Sequence, residues 1–182
     1  MSSSVLRPMT PADLDELMIV QRVGAVVGLG HIFPQEQFPF PVDVVRRRWE
    51  AEIASADVDC FVILDERRVV AGFAAVRGDE FLHFGTAVES WGTGLAGRAH
   101  DEVVALWVGC GHRRARLRVF EGNVRARRFY ERRGWRPTGD RSVTSFPPHP
   151  VLLGYERELV ATDAGTGASP WRQRRVTGST DR

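Results

Sequence analysis

The chain has 182 residues, 43% of them hydrophobic and 26% charged, with a formal net charge of +2. That length suffices for one domain with a sizeable core, and the composition is that of a soluble globular protein. No apolar run approaches a membrane span, the N-terminal stretch lacks an apolar signal-peptide core, and Cys60 and Cys110 form neither a disulfide framework nor a zinc spacing, so a cytoplasmic protein with no metal is expected.

Residues 5–8 read as a short first strand. Thr10-Pro11-Ala12-Asp13 has the signs of a helix start: a capping hydroxyl, a proline at the first helical position and an acid after it. Leu14, Leu17, Met18 and Val20 continue near helical spacing, and the helix should fade at Gly28 and Gly30. The stretch 28–41 holds Pro34, Pro39 and Pro41 with three phenylalanines, which predicts an apolar loop. A second helix follows over about 42–55, with Val45, Trp49 and Ile53 on one side. Three β-rich runs come next, 59–64, 69–76 and 80–88, separated by short charged turns, which implies an antiparallel meander. A glycine turn at Trp91-Gly92-Thr93-Gly94 leads to a helix over about 95–108. A strand at 116–120, an arginine-rich helix at 123–133, a strand after Gly134 and a last strand at 151–160 complete the pattern. The whole reads as an α+β domain over 1–161, a mixed and mostly antiparallel sheet with flanking helices and a central parallel strand pair across the helix after Gly94. Residues 162–182, rich in Gly, Ser, Thr and Arg, read as a disordered tail.

All 25 basic residues are arginine, which excludes lysine chemistry. Ten of them fall within 113–136 against Glu121 and Glu131, a local basic field suited to an anionic partner, either nucleic acid or a small polyphosphate. Two segments carry the chemistry. The first, 84–96, is a strand, a glycine turn and a helix start, which exposes several backbone N–H groups at a positive helix end and so can hold a phosphate. Gly92 and Gly94 let the backbone bend and approach a ligand, and Thr93 adds a hydroxyl. In the second, Asn123 is placed as an N-cap, Ala126, Phe129 and Tyr130 share one helix face, and Gly134 is a helix stop.

Together the two segments resemble the GNAT acetyltransferase superfamily. Trp91-Gly92-Thr93-Gly94-Leu95-Ala96 is similar to its Gln/Arg-x-x-Gly-x-Gly/Ala turn except at Trp91. Asn123, Ala126, Phe129, Tyr130, Glu131, Gly134 and, conservatively, Trp135 are similar to its later motif. The resemblance implies a GNAT fold and an N-acetyltransferase that moves an acetyl group from acetyl-CoA, its cosubstrate, to a primary amine on a small molecule or peptide. It implies that Phe84, Gly85 and Thr86 pair by backbone with the pantetheine arm, that Trp91 through Ala96 cradle the pyrophosphate, and that Asn123 contacts the pantetheine. Tyr130 is implied as general acid, with a buried core tyrosine as the alternative. For the base, Glu80 is preferred and His83 is second; each has a structural alternative, Glu80 in closing the turn at Asp79 and His83 in facing the other side of the sheet. The loop bearing His31, Phe33 and Glu36 is expected to border the acceptor, which its apolar character marks as a small, partly apolar amine. Such proteins are often homodimers, and nothing suggests a membrane partner. Two other readings stay open: a nucleic-acid-directed protein, motivated by the arginine run, and a catalytically inactive acyl-CoA sensor.

Overall fold

The computed structural model describes residues 3–160, so the segment 162–182 lies outside the described residues. Seven strands form one sheet in the order β1-β2-β3-β4-β5-β7-β6. They are β1 (Leu6–Pro8), β2 (Asp59–Leu64), β3 (Val70–Arg77), β4 (Glu80–Thr86), β5 (Arg114–Phe120), β6 (Arg136–Val143) and β7 (Val151–Glu158). Every neighbouring pair is antiparallel except β4 and β5, which run parallel. The crossover joining that pair is α3 (Leu95–Gly109). The other helices are α1 (Leu14–Leu29), α2 (Val42–Ala54) and α4 (Val124–Glu131). Among the described residues no helix is long and apolar enough to cross a membrane.

Local sequence accounts for most boundaries. The Thr10 N–H donates to the Asp13 carboxylate at 2.8 Å, and the expected helix start forms as a 3-10 turn, Pro11–Asp13, running into α1. The third run ends at Thr86, two residues early, because Val88–Ser90 coils into a second 3-10 turn that feeds the glycine turn. β5 starts at Arg114, where its alternation of exposed arginine with buried Ala115, Leu117 and Val119 begins.

The sheet separates two apolar clusters. On one face Val103 and Trp107 of α3, Tyr130 of α4 and Trp135 from the turn after α4 pack against Phe81, Leu117 and Tyr155. On the other face α1 and α2 pack Leu17, Met18, Val45 and Trp49 against Val62, Phe73 and Ala75. β2 and β3 are covered on both faces and are nearly all buried, whereas β6 is an exposed edge strand. The helices of the second cluster lie over β2 to β4, so the matching face of β5, β7 and β6 is left open as a groove lined by Glu80, Arg116, Arg118, Thr138, Asp140 and Arg141.

Candidate active site

β4 and β5 pair at two positions, Glu80 with Arg116 and Phe81 with Leu117, and then part company. A bulge in β4 accompanies the divergence. Phe81 pairs with Val76 and His83 with Ala75, so Leu82 is an extra residue without a counterpart on β3. The bulge also resets the alternation of side chains. Phe81 and Phe84, three apart, pack together on the α3–α4 side with ring centroids 5.2 Å apart. Leu82 and His83, adjacent in sequence, both turn to the α1–α2 side. The result is a wedge that opens toward the C-terminal ends of the parallel pair, the end of an α/β unit where ligands bind. Loops from four parts of the chain converge there. The turn before α3 and the loop before α4 leave from it, Glu121 N–H donates to the Val151 carbonyl at the start of β7, and His31 Nε2–H donates to the Gly122 carbonyl at 2.9 Å.

The glycine turn closes one side of the wedge mouth. Gly92 and Gly94 have φ of 80° and 88°, in the left-handed region that a side chain disfavours, and Gly94 caps α3. The first-turn amides of Ala96 and Gly97 have no intrahelical acceptor and lie at the positive end of the helix. The Thr93 hydroxyl is already used: it donates to Ser90 carbonyl at 2.8 Å and accepts from Leu95 N–H at 3.3 Å, which shapes the turn. The Leu95 side chain is buried in the core and anchors the helix start. Trp91 donates from Nε1 to the Thr86 carbonyl at 3.1 Å, and the Arg125 guanidinium lies 3.2 Å from its ring centroid. That contact joins the end of β4 to the start of α4. Asn123 caps α4, accepting from Ala126 N–H at 3.1 Å.

Three titratable side chains belong to elements that flank the wedge, Glu80 and His83 on β4 and Tyr130 on α4. Tyr130 is buried against Phe129 and Trp135, and burial pushes its hydroxyl well above the ordinary value of 10.0, so it stays protonated. Glu80, half-buried at the mouth of the groove, lies 3.4 Å from Arg118 Nε. His83 is enclosed between sheet and α2, 5.0 Å from the Trp49 ring, with Nε2 2.8 Å from Glu52 Oε1. Burial pulls its pKa below the ordinary 6.5; Arg48 and Arg77 add to the effect and Glu52 opposes it.

A model of the acetyltransferase (GNAT) family matches residues 17–135. The chain belongs to the GNAT acetyltransferase family. No curated protein matches the sequence. Solved structures do. A GCN5-related N-acetyltransferase from Rhodopseudomonas palustris superposes with a TM-score of 0.67 at 18% identity, over 87% of this chain and 98% of that one. Spermidine N-acetyltransferase from Vibrio cholerae, in complex with CoA and spermine, gives 0.64 at 17% identity over 85% and 94%. Apo YjaB from Escherichia coli gives 0.65 at 18% over 85% and 96%. At these identities the likeness establishes a shared fold.

Within the GNAT frame, the loop that carries His31, Phe33 and Glu36 lies across the end of β5. Phe33 meets Phe120 edge-on at 5.3 Å, and Glu36 is exposed. The loop is braced from within by Gln35, whose amide nitrogen donates to the carbonyls of Phe33 and Phe38 and whose oxygen accepts from Phe40 N–H. Sequence reasoning passed over Gln35, and also Glu52, which stands on the apolar side of α2 beside Trp49 and Ile53; a carboxylate on that face was the available signal. The arginine run proves less basic than its composition. Arg114 faces Glu156 and Glu158, Arg116 faces Asp79, Arg118 faces Glu80 and Arg133 faces Asp101. Cys60 is buried and pushed up to about 12, so it remains a thiol.

Proposed function

We propose that the protein transfers an acetyl group from acetyl-CoA to a primary amine by direct attack. The observation that carries this reading is the wedge between β4 and β5, which ends at a glycine turn presenting free helix amides. In it, the free edge of β4 at Phe84, Gly85 and Thr86 pairs with the pantetheine arm as an added strand does. Gly85 admits no larger residue, since a Cβ there would come within 2.7 Å of the Phe73 ring. The turn from Trp91 to Ala96 holds the pyrophosphate through its amides, and Asn123 contacts the pantetheine beside it. Tyr130 donates its proton to the leaving sulfur, a task suited to a hydroxyl that stays protonated. The proton of the attacking amine goes to a side chain of β4, Glu80 or His83. The acceptor lies against the loop of His31, Phe33 and Glu36. The apolar Phe33–Phe120 contact favours a small, partly apolar amine over a polycation. The Vibrio cholerae neighbour, solved with CoA and spermine, supports the chemistry of the fold.

Calorimetric titration with acetyl-CoA tests the site. The wild type binds, and the double variant Gly92→Glu/Gly94→Glu, shown to be folded by circular dichroism, does not; equal binding by both removes the turn from the site. CoA-thiol release with phenethylamine, spermidine and an aminoglycoside tests the acceptor. Phenethylamine is the best of the three, and a much faster aminoglycoside overturns that assignment. Tyr130→Phe lowers kcat about a hundredfold and leaves acetyl-CoA affinity unchanged. An undiminished kcat would make Tyr130 a core residue only.

A further inference from the structure

Arg48 and Glu52 of α2 lie on the face of the helix that packs on the sheet, one turn apart beside buried Val45 and Trp49. Both charges are costly there. Among the described residues Arg48 Nε and Glu52 Oε2 are buried without any hydrogen-bond partner. A helix that only needed to pack would be better served by an apolar side chain at position 52. The other oxygen of Glu52 explains its presence. Oε1 is 2.8 Å from His83 Nε2, and the two side chains keep 12% and 16% of their surface exposed.

The geometry fixes which nitrogen of His83 carries the hydrogen. An ionised carboxylate can only accept, so Nε2 is the donor. The ring is neutral near pH 7, because burial disfavours a second proton. Nδ1 therefore holds a free lone pair, and among the described residues it has no hydrogen-bond partner. The bulge at Leu82 determines where that ring stands: two residues past the last β4–β5 pair, at the point where the strands separate. Around it are Glu52 and Arg48 from α2 and Arg77 from β3, with the protonated thiol of Cys60 from β2 on the Glu52 side; toward β5, Glu80 and Arg118 face each other.

We propose that Glu52 is a positioning residue that holds His83 as the proton acceptor of the acyl-transfer site, presenting Nδ1 to the incoming amine. The proposal rests on the acetyl-transfer reading above. As the C–N bond forms and the C–S bond breaks, the ammonium proton passes to Nδ1 and the Tyr130 proton to the sulfur. The imidazolium so formed keeps its Nε2–H on the Glu52 carboxylate, which stabilises it; it then gives its extra proton to solvent while Tyr130 takes one up from solvent, so the turnover is proton-neutral and both groups return to their starting states. Glu80 keeps its ion pair with Arg118.

The experiment combines ring-nitrogen NMR of His83 with pH profiles of CoA release from acetyl-CoA, using phenethylamine or spermidine, whichever turns over. It compares the wild type, Glu52→Gln, Glu52→Asp and Glu80→Gln, each checked for folding. The wild-type spectrum shows the Nε2–H tautomer. Glu52→Gln lowers the pKa of His83, moves the acid limb of kcat/KM to lower pH with it, and reduces kcat at least about tenfold at unchanged acetyl-CoA affinity. Glu52→Asp restores part of the limb, and Glu80→Gln leaves it in place. An Nδ1–H tautomer in the wild type, a limb indifferent to Glu52→Gln, or a limb that moves only with Glu80→Gln overturns the role of Glu52. A folded wild type that neither binds acetyl-CoA nor releases CoA with any amine overturns acetyl transfer itself, and the proposal with it.

Discussion

The imidazole of His100 has no exposed surface, and both of its nitrogens are committed. Trp135 Nε1–H donates to Nε2 at 2.9 Å, so Nδ1 carries the hydrogen and donates to Asp101 Oδ1 at 3.0 Å. Arg133 completes the chain, 2.6 Å from the same oxygen. His83 has the opposite tautomer because its Nε2 meets a carboxylate where that of His100 meets an indole N–H. Burial holds His100 below its ordinary 6.5, with Arg133 and Arg157 adding to the effect and Asp101 opposing it. The unfolded chain therefore takes up the proton first. The stability contributed by the neutral ring is intact above pH 6.5 and is lost as pH falls through the lower folded value. His100→Gln should cost about 1–3 kcal/mol at pH 7.5, measured by urea unfolding, and the gap from the wild type should narrow on acidification. A gap that widens would mean that the ring is charged in the fold. His83 is depressed in the same direction, so the variant should retain part of the acid sensitivity. The sequence sets Asp101 beside His100, but it does not show the Trp135 indole that fixes the His100 tautomer or the Glu52 carboxylate that meets His83, since both come from distant elements. The buried helix position of Tyr130 and the place of Gly94 at the start of α3 were legible, because local neighbours state the cap, the face and the turn.

Between elements, close contacts decide positions that composition leaves open. Gly97, in the first turn of α3, lies under the guanidinium of Arg133 from the end of α4, and a Cβ built there collides with Nη2. Arg133 is held in that place by Asp101 and by the face of Phe129, 5.0 Å away. Gly97→Ala should then fall short of the roughly 1 kcal/mol that alanine adds in an open helix in chemical denaturation, because the Arg133 tip must leave Asp101 and Phe129 to make room. Removing the obstruction in Gly97→Ala/Arg133→Ala should make the cost less than the sum of the two single changes. Additivity would mean that Arg133 simply swings away. Element order, the meander and the parallel crossover followed from periodicity and glycine turns, because those signals are local. The bulge at Leu82 did not, since it depends on which β3 residues stand opposite. The internal scaffold of Gln35 was hidden for the same reason: glutamine in a proline-rich loop carries no signature of the carbonyls it reaches.

Across the whole molecule, the parallel pair is the seam of the sheet. Two register pairs join β4 to β5, against seven between β5 and β7. The strands on one side of the seam are stitched to α1 and α2, while β5 and β7 share only the α3–α4 core and β6 is an exposed edge. The ten arginines of 113–136 also look different at this scale, since those of β5 face acids of β7, of the turn before β4 and of β4 itself. An open phosphate-binding surface would leave such side chains unpaired. A ligand that spans the wedge would touch both sides of the seam at once, at a site that only the folded chain has. Acetyl-CoA at a hundred times its Kd should add about 2.7 kcal/mol. For a domain of this size that raises Tm by roughly 5–10 °C, at about 2–4 °C per kcal/mol. Under the acetyl-transfer reading Gly92→Glu/Gly94→Glu should show no rise, because its carboxylates would stand where the pyrophosphate is proposed to lie and would repel it. Thermal denaturation followed by circular dichroism separates the outcomes. A rise in the wild type alone locates the stabilising ligand at the turn that ends the wedge. An equal rise in both proteins would place acetyl-CoA elsewhere and leave the weak seam between β4 and β5 without a ligand to close it.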